Sequence, residues 1–161
     1  VLTTYITQLQ RLLADPNGSY WSTSELTDYI NEARNRVAQD TRCLRQLVTS
    51  LTLPAQQETY TPQTFIGALG SQLVDTIGIT IYWGNERRKL GYLAFTKFDA
   101  LYRRYQLFYG QPECFTKQGA NFIFIAPVPD QNYVSDWDVA VVPNALVNDS
   151  TVEQIPVPFQ E

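Results

Sequence analysis

The sequence predicts an α+β protein: an N-terminal helical hairpin, then a β-rich body with one inserted helix, then an extended Pro-rich C-terminal arm. Three observations predict it. Apolar residues recur at helical spacing up to about residue 42, with a complete helix start at Ser22. From Leu47 the period changes to two. The segment 143–161 has prolines at Pro143, Pro156 and Pro158 and no clear period. Helices followed by strands, without βαβ alternation, give the α+β class.

The elements follow in order. Leu2, Ile6, Leu9 and Leu13 mark a first amphipathic helix over about 3–14, ended by the turn formers Asp15-Pro16-Asn17-Gly18. Ser22 is a good N-cap for the second helix, about 23–42. Glu25 three residues on completes a capping box, and Trp21 with Leu26 has the spacing of a hydrophobic staple. Leu26, Tyr29, Ile30, Ala33 and Val37 form its apolar stripe. Glu32 and Arg36 stand at i,i+4. Alternation from Leu47 to Leu53, stopped by Pro54, predicts a strand, with 58–61 as a short partner and 62–72 as a loop. Val74 to Trp83 is a strand with Ile77, Ile79, Ile81 and Trp83 on one face. It turns at Gly84-Asn85 into a second arm, 86–90. Thr96 and Asp99 have the form of a capping box, starting a helix near 96–107 through Phe98, Leu101, Tyr102 and Tyr105. Residues 113–116, 121–126 and 134–142 are strands. At 161 residues the chain is sized for a single domain, organised as 1–45, 46–142 and 143–161.

Composition narrows the chemistry. There is no histidine, the commonest general base and metal ligand, and the two cysteines, Cys43 and Cys114, lack metal-ligand spacing. Neither a phosphate-binding glycine motif nor Gly-x-Ser-x-Gly occurs. No cofactor is expected, and no catalytic or metal site. No apolar run is long enough to cross a membrane, no signal peptide is visible, and the sequence begins at Val1. Net charge is −4: residues 1–104 hold eleven bases and nine acids, and 105–161 hold one base and seven acids. No basic patch suits specific nucleic-acid binding. Aromatics make up 13%, including ten tyrosines, a residue favoured at interfaces.

Three clusters are candidates for function. Asp136 and Asp138 share a strand face, where paired carboxylates can do acid–base work or hold a cation; with no third ligand, base or nucleophile nearby, a solvated face is the expectation. Arg87, Arg88 and Lys89 follow a hairpin tip, where they could grip phosphates or an acidic partner or be ordinary surface charge; strand alternation points only Arg87 and Lys89 together. Glu25, Asp28 and Glu32 mark the polar side of the second helix.

Four segments together resemble the head-to-tail adaptor family of tailed bacteriophages, especially those of short-tailed phages. They are Tyr20-Trp21-Ser22 with Glu25-Leu26 and Tyr29-Ile30-Asn31-Glu32-Ala33-Arg34; Asp40-Thr41-Arg42-Cys43-Leu44; Gly110-Gln111-Pro112 with Pro127-Val128-Pro129-Asp130 and Tyr133; and Val142-Pro143 with Ile155-Pro156-Val157-Pro158-Phe159. The match covers about residues 5–159. The resemblance implies a structural virion protein at the head–tail junction, assembled in the host cytoplasm, and not an enzyme. It implies a ring of typically twelve copies that docks on the portal protein, extends the DNA channel and receives tail or nozzle components. DNA then passes without specific binding, in packaging and ejection. Glu25, Asp28 and Glu32 become the candidate lumen or intersubunit face. Arg87, Lys89, Ile155, Pro156, Pro158 and Phe159 become candidate partner or intersubunit contacts, and charge reversal at Arg87 and Lys89 tests that role. Members of the family usually continue past the Pro-rich arm into a further C-terminal helix, a departure from the pattern here, where the sequence given stops at Glu161. Rival readings are a tail-completion, neck or nozzle-ring protein at another level of the tail, a small carbohydrate- or peptide-binding domain, and a hydrolase using Asp136 and Asp138.

Overall fold

The computed structural model describes residues 1–103, 108–119 and 121–156. The chain divides into two compact units: Val1–Leu44 with Val141–Glu161, and Arg45–Ala140.

In the first unit, α1 (Leu2–Leu12) and α2 (Thr23–Thr41) are the two N-terminal helices. The buried Asp15 shapes the connection. Its carboxylate accepts from the N–H groups of Ser19, Tyr20 and Trp21 at 2.7–3.0 Å. The capping box forms as the sequence specifies: Glu25 N–H donates to Ser22 Oγ (3.2 Å), and Ser22 N–H donates to Glu25 Oε2 (3.0 Å). α2 ends where Arg42 turns left-handed (φ 51°). Leu2, Ile30 and Leu146 form the core of this unit, with Tyr5, Ile6 and Leu9 packed against them. The described part of the C-terminal segment, 142–156, has no regular secondary structure, and it supplies Leu146 and Ile155 to the interior.

The second unit holds the strands. Its four-stranded sheet has the order β1 (Arg45–Leu53), β10 (Tyr133–Val141), β3 (Leu73–Trp83), β4 (Glu86–Lys89). Another four-stranded sheet runs β2 (Thr59–Tyr60), β8 (Phe122–Ala126), β7 (Cys114–Gln118), β5 (Gly91–Tyr92). A two-stranded ladder joins β6 (Tyr109–Gly110) to β9 (Val128–Pro129). Between the two larger sheets, Trp137 of β10 meets Tyr60 of β2 at 6.3 Å and Phe65 at 5.0 Å. Residues opposite one another across a ladder share a face. The Tyr60–Ile123 pair therefore places the Ile123/Ile125/Phe115 face toward the first sheet. The opposite face, Phe124, Ala126 and Cys114, is covered by Phe98 of α4 (Phe95–Phe98).

Four sequence expectations are corrected. The segment 62–72 is not a loop but a helical turn, α3 (Pro62–Phe65), followed by a 3₁₀ helix (Gly67–Gln72). Pro62 at its start supplies the preset φ that begins a helix. The helix expected near 96–107 begins at Phe95, with Ala94 rather than Thr96 as N-cap, and widens into a π-helix over Asp99–Arg103; residues 104–107 lie outside the described ones. The short strand Thr59–Tyr60 pairs with β8, and β1 pairs with β10. Finally, β1 does not keep one alternation. Val48 opposes Trp137 while Leu51 opposes Ser135, so one extra residue is inserted on β1, a β-bulge. Leu47 is therefore 59% exposed while Leu53 is buried.

Candidate assembly surfaces

On α2 the buried stripe is Leu26, Ile30, Arg34 and Ala38, four residues apart each time. It is rotated from the expected one: Tyr29 and Ala33 are exposed, and a charged side chain sits in the buried row. The cause is the returning C-terminal segment. Arg34 donates from Nε and Nη2 to the Glu153 carboxylate (2.7–3.2 Å) and from Nη1 to the Asn144 carbonyl (2.9 Å). One turn earlier, Asn31 Nδ2 donates to the Leu146 carbonyl and its Oδ1 accepts the Leu146 N–H, at 3.0 and 2.8 Å. Burial works to raise the Glu153 carboxyl, but hydrogen bonds from Arg34 and the Ile155 N–H outweigh it and hold the group below its ordinary range. Burial, then the nearby Glu153 charge, pushes the Tyr5 phenol up. Sequence reading gave Asn31 and Arg34 no role; the one local signal was Arg34 standing four residues after Ile30.

Beside this clasp, the first unit carries an open groove of about 510 Å³. Tyr5, Leu9 and Leu12 from α1 face Tyr29, Ala33 and Val37 from α2, with Ile155 also on the wall. Leu12 is 82% exposed and Tyr29 is 53% exposed, with Trp21 edge-on to the Tyr29 ring at 6.1 Å. Asp28 and Glu32 are exposed on α2, as is Glu25, whose carboxylate is engaged in the cap. Arg36 meets Asp40 at 3.9 Å. Of the late candidates, Ile155 is buried and Pro156 exposed, while Pro158 and Phe159 lie outside the described residues.

In the second unit, β4 is an edge strand with all four residues exposed. Arg87 opposes Tyr82 and Lys89 opposes Thr80, so the two point together on the face away from the buried Ile79 and Ile81. The Arg87 guanidinium lies over the Tyr82 ring, 5.0 Å from its centre. Arg88, on the other side, reaches Gln111 and Glu113 at 3.2 and 3.3 Å. Asp136 and Asp138 do share a face of β10, but it is not the solvated one expected, since Asp136 is 5% exposed, and each has its own partners. Asp136 accepts from the bulged Ser50 N–H (3.1 Å) and from the Tyr82 hydroxyl, and Asp138 pairs with Arg45. The Asp136 hydrogen bond, then burial, pushes the Tyr82 phenol up. Among the described residues, no group of three His, Cys, Asp or Glu side chains lies placed to hold a metal ion.

The first and fourth resemblance segments both fall in the first unit, and the third falls in the second. Asn31 and Arg34 of the first hold residues 144–155, which lead into the fourth. Within the third, Gly110 opposes Pro129 across the β6–β9 ladder, and the Tyr133 hydroxyl donates to Asp130 at 2.6 Å. A sequence model described as SU10 adaptor protein matches residues 2–160. The chain belongs to the SU10 adaptor protein family. This is a phage head-to-tail adaptor family, so the adaptor is a structural virion component that associates with other head–tail components. No curated protein matches the adaptor. Among its described residues, no helix is long and apolar enough to cross a membrane.

Proposed function

We propose that the adaptor forms a ring at the head–tail junction, of twelve copies as the resemblance implies, that docks on the portal protein. The ring extends the DNA channel and receives tail or nozzle proteins, serving packaging and ejection without a cofactor and without specific DNA binding. The observation that supports this best is the open apolar groove of the first unit in a chain of this family. Tyr29 and Leu12 stand more than half exposed there, and a contiguous exposed apolar surface marks a protein–protein contact. Arg87, Lys89 and the end of the C-terminal segment serve as partner contacts in this reading, and α2 turns Glu25, Asp28 and Glu32 to the channel or to the neighbouring subunit. Acidic walls let DNA slide, because affinity for DNA comes from neutralising its phosphates.

Light-scattering mass of the purified chain, alone and mixed with portal rings from the same virion, tests the proposal. A gain of about a dozen subunits on the portal is expected, the stoichiometry of a closed cyclic assembly. No association under assembly-like salt rejects portal docking and moves the protein to another level of the tail.

A further inference from the structure

We infer that the groove of the first unit receives the tip of the β3–β4 arm of a second copy of this chain, with Trp83 as the inserted side chain. The inference rests on the ring reading and names the contact that joins its subunits.

The groove asks for an apolar insert, being walled by Leu9, Leu12, Tyr29, Ala33 and Val37 with about 510 Å³ of open volume. The arm offers one. Trp83 is 43% exposed at the last paired position before the Gly84-Asn85 turn. Its ring is stacked on Tyr133 at 5.8 Å and 22°, and Tyr133 is itself 2% exposed. An indole held from behind loses little freedom on docking, and tryptophan is enriched among side chains that dominate binding.

Charge agrees with shape. Glu25 and Glu32 stand four before and three after Tyr29, positions that neighbour it on the helix surface. Residues 1–44 and 141–161 hold four bases and eight acids, a net −4, whereas 45–140 hold eight of each. The tip strand Glu86–Lys89 carries three bases and one acid, a net +2, all four exposed: Glu86 and Arg88 lie on the Trp83 face, and Arg87 and Lys89 on the opposite one. Groove and arm lie on different parts of the chain, so each copy gives its arm to one neighbour and its groove to the other. Such heterologous contacts close into rings when the rotation permits. This assigns the Glu32 side of α2 to the neighbouring subunit.

Two variants test it. Leu12→Asp with Tyr29→Asp spoils the groove, and Trp83→Ala with Arg87→Glu spoils the arm. Each is expected to weaken self-association by about thirtyfold or more, the effect of losing a dominant contact residue. An equimolar mixture of the two retains one good groove and one good arm, and is expected to form pairs of twice the subunit mass. Arg87→Glu with Lys89→Glu, both at exposed positions, replaces the arm variant should loss of the Trp83–Tyr133 stack unfold the chain. Rings that persist in either variant overturn this contact and leave the ring reading standing. So does a mixture that fails to pair. A wild-type chain that stays monomeric both alone and on portal rings overturns the two together.

Discussion

Arg34 is a buried charge in the first unit. It and Glu153 are 7% and 8% exposed, and the charge of each is met by the other and by backbone groups. Removing one partner of a buried pair costs about 3–5 kcal/mol, whereas replacing both with apolar groups is nearly neutral. Urea unfolding of Arg34→Leu should show such a loss, and the double variant with Glu153→Leu should recover most of it. The same pair has a pH signature. The folded Glu153 carboxyl lies below its ordinary value of 4.5, so its contribution is present above that value and disappears as pH falls through the folded pKa. The stability difference between wild type and double variant should therefore stay flat from neutral pH to about 5 and change only below 4.5. A difference that changes near neutrality would show that another group carries the dependence.

At the scale of the element, two backbone positions decide local geometry. Ser50 takes φ 62° in the β1 bulge, a conformation that strains any residue with a Cβ and suits glycine. Its N–H is met by Asp136 there, so Ser50→Gly keeps the hydrogen bond while relieving the strain. A gain of up to about 1 kcal/mol in urea unfolding is expected, reduced by glycine's greater freedom in the unfolded chain. Gly70 is the opposite case. A Cβ added at Gly70 would lie 1.7 Å from the Gln63 carbonyl oxygen, so the turn from α3 into the 3₁₀ helix closes only without one. Gly70→Ala should destabilise by about 1–3 kcal/mol or more, as overpacking does, and the melting temperature reads it directly. A neutral Gly70→Ala would show that the Gln63 backbone gives way freely.

Over the whole molecule, the charge halves read along the sequence do not correspond to the two units. The N-terminal 44 residues and the C-terminal segment belong to one unit, and 45–140 to the other. The first unit therefore depends on residues nearly the whole chain apart. Deleting 144–161 removes Leu146 from beside Leu2 and Ile30 and leaves Arg34 without Glu153. Hydrogen exchange of that truncation should show amides of α1 and α2 losing protection while those of β7 and β8, which pair within Arg45–Ala140, keep theirs. Equal loss in both places would mean that the units fold as one.

What the sequence determined by itself was local. The capping box at Ser22 and Glu25 is closed by residues three apart, and the Gly84-Asn85 turn by two strands that meet at once. For the same reason Val74 to Trp83 reads as a strand without any partner in view. The family was carried by short segments in order, and the match over residues 2–160 spans them all. The tertiary structure decided what depends on distant partners. Arg34 can be buried because Glu153, 119 residues away, meets its charge. The extra residue in β1 is tolerated because Asp136, 86 residues on, takes the Ser50 N–H. Periodicity reports which side of an element can be apolar; which side is covered, and by what, is fixed only when the far end of the chain arrives.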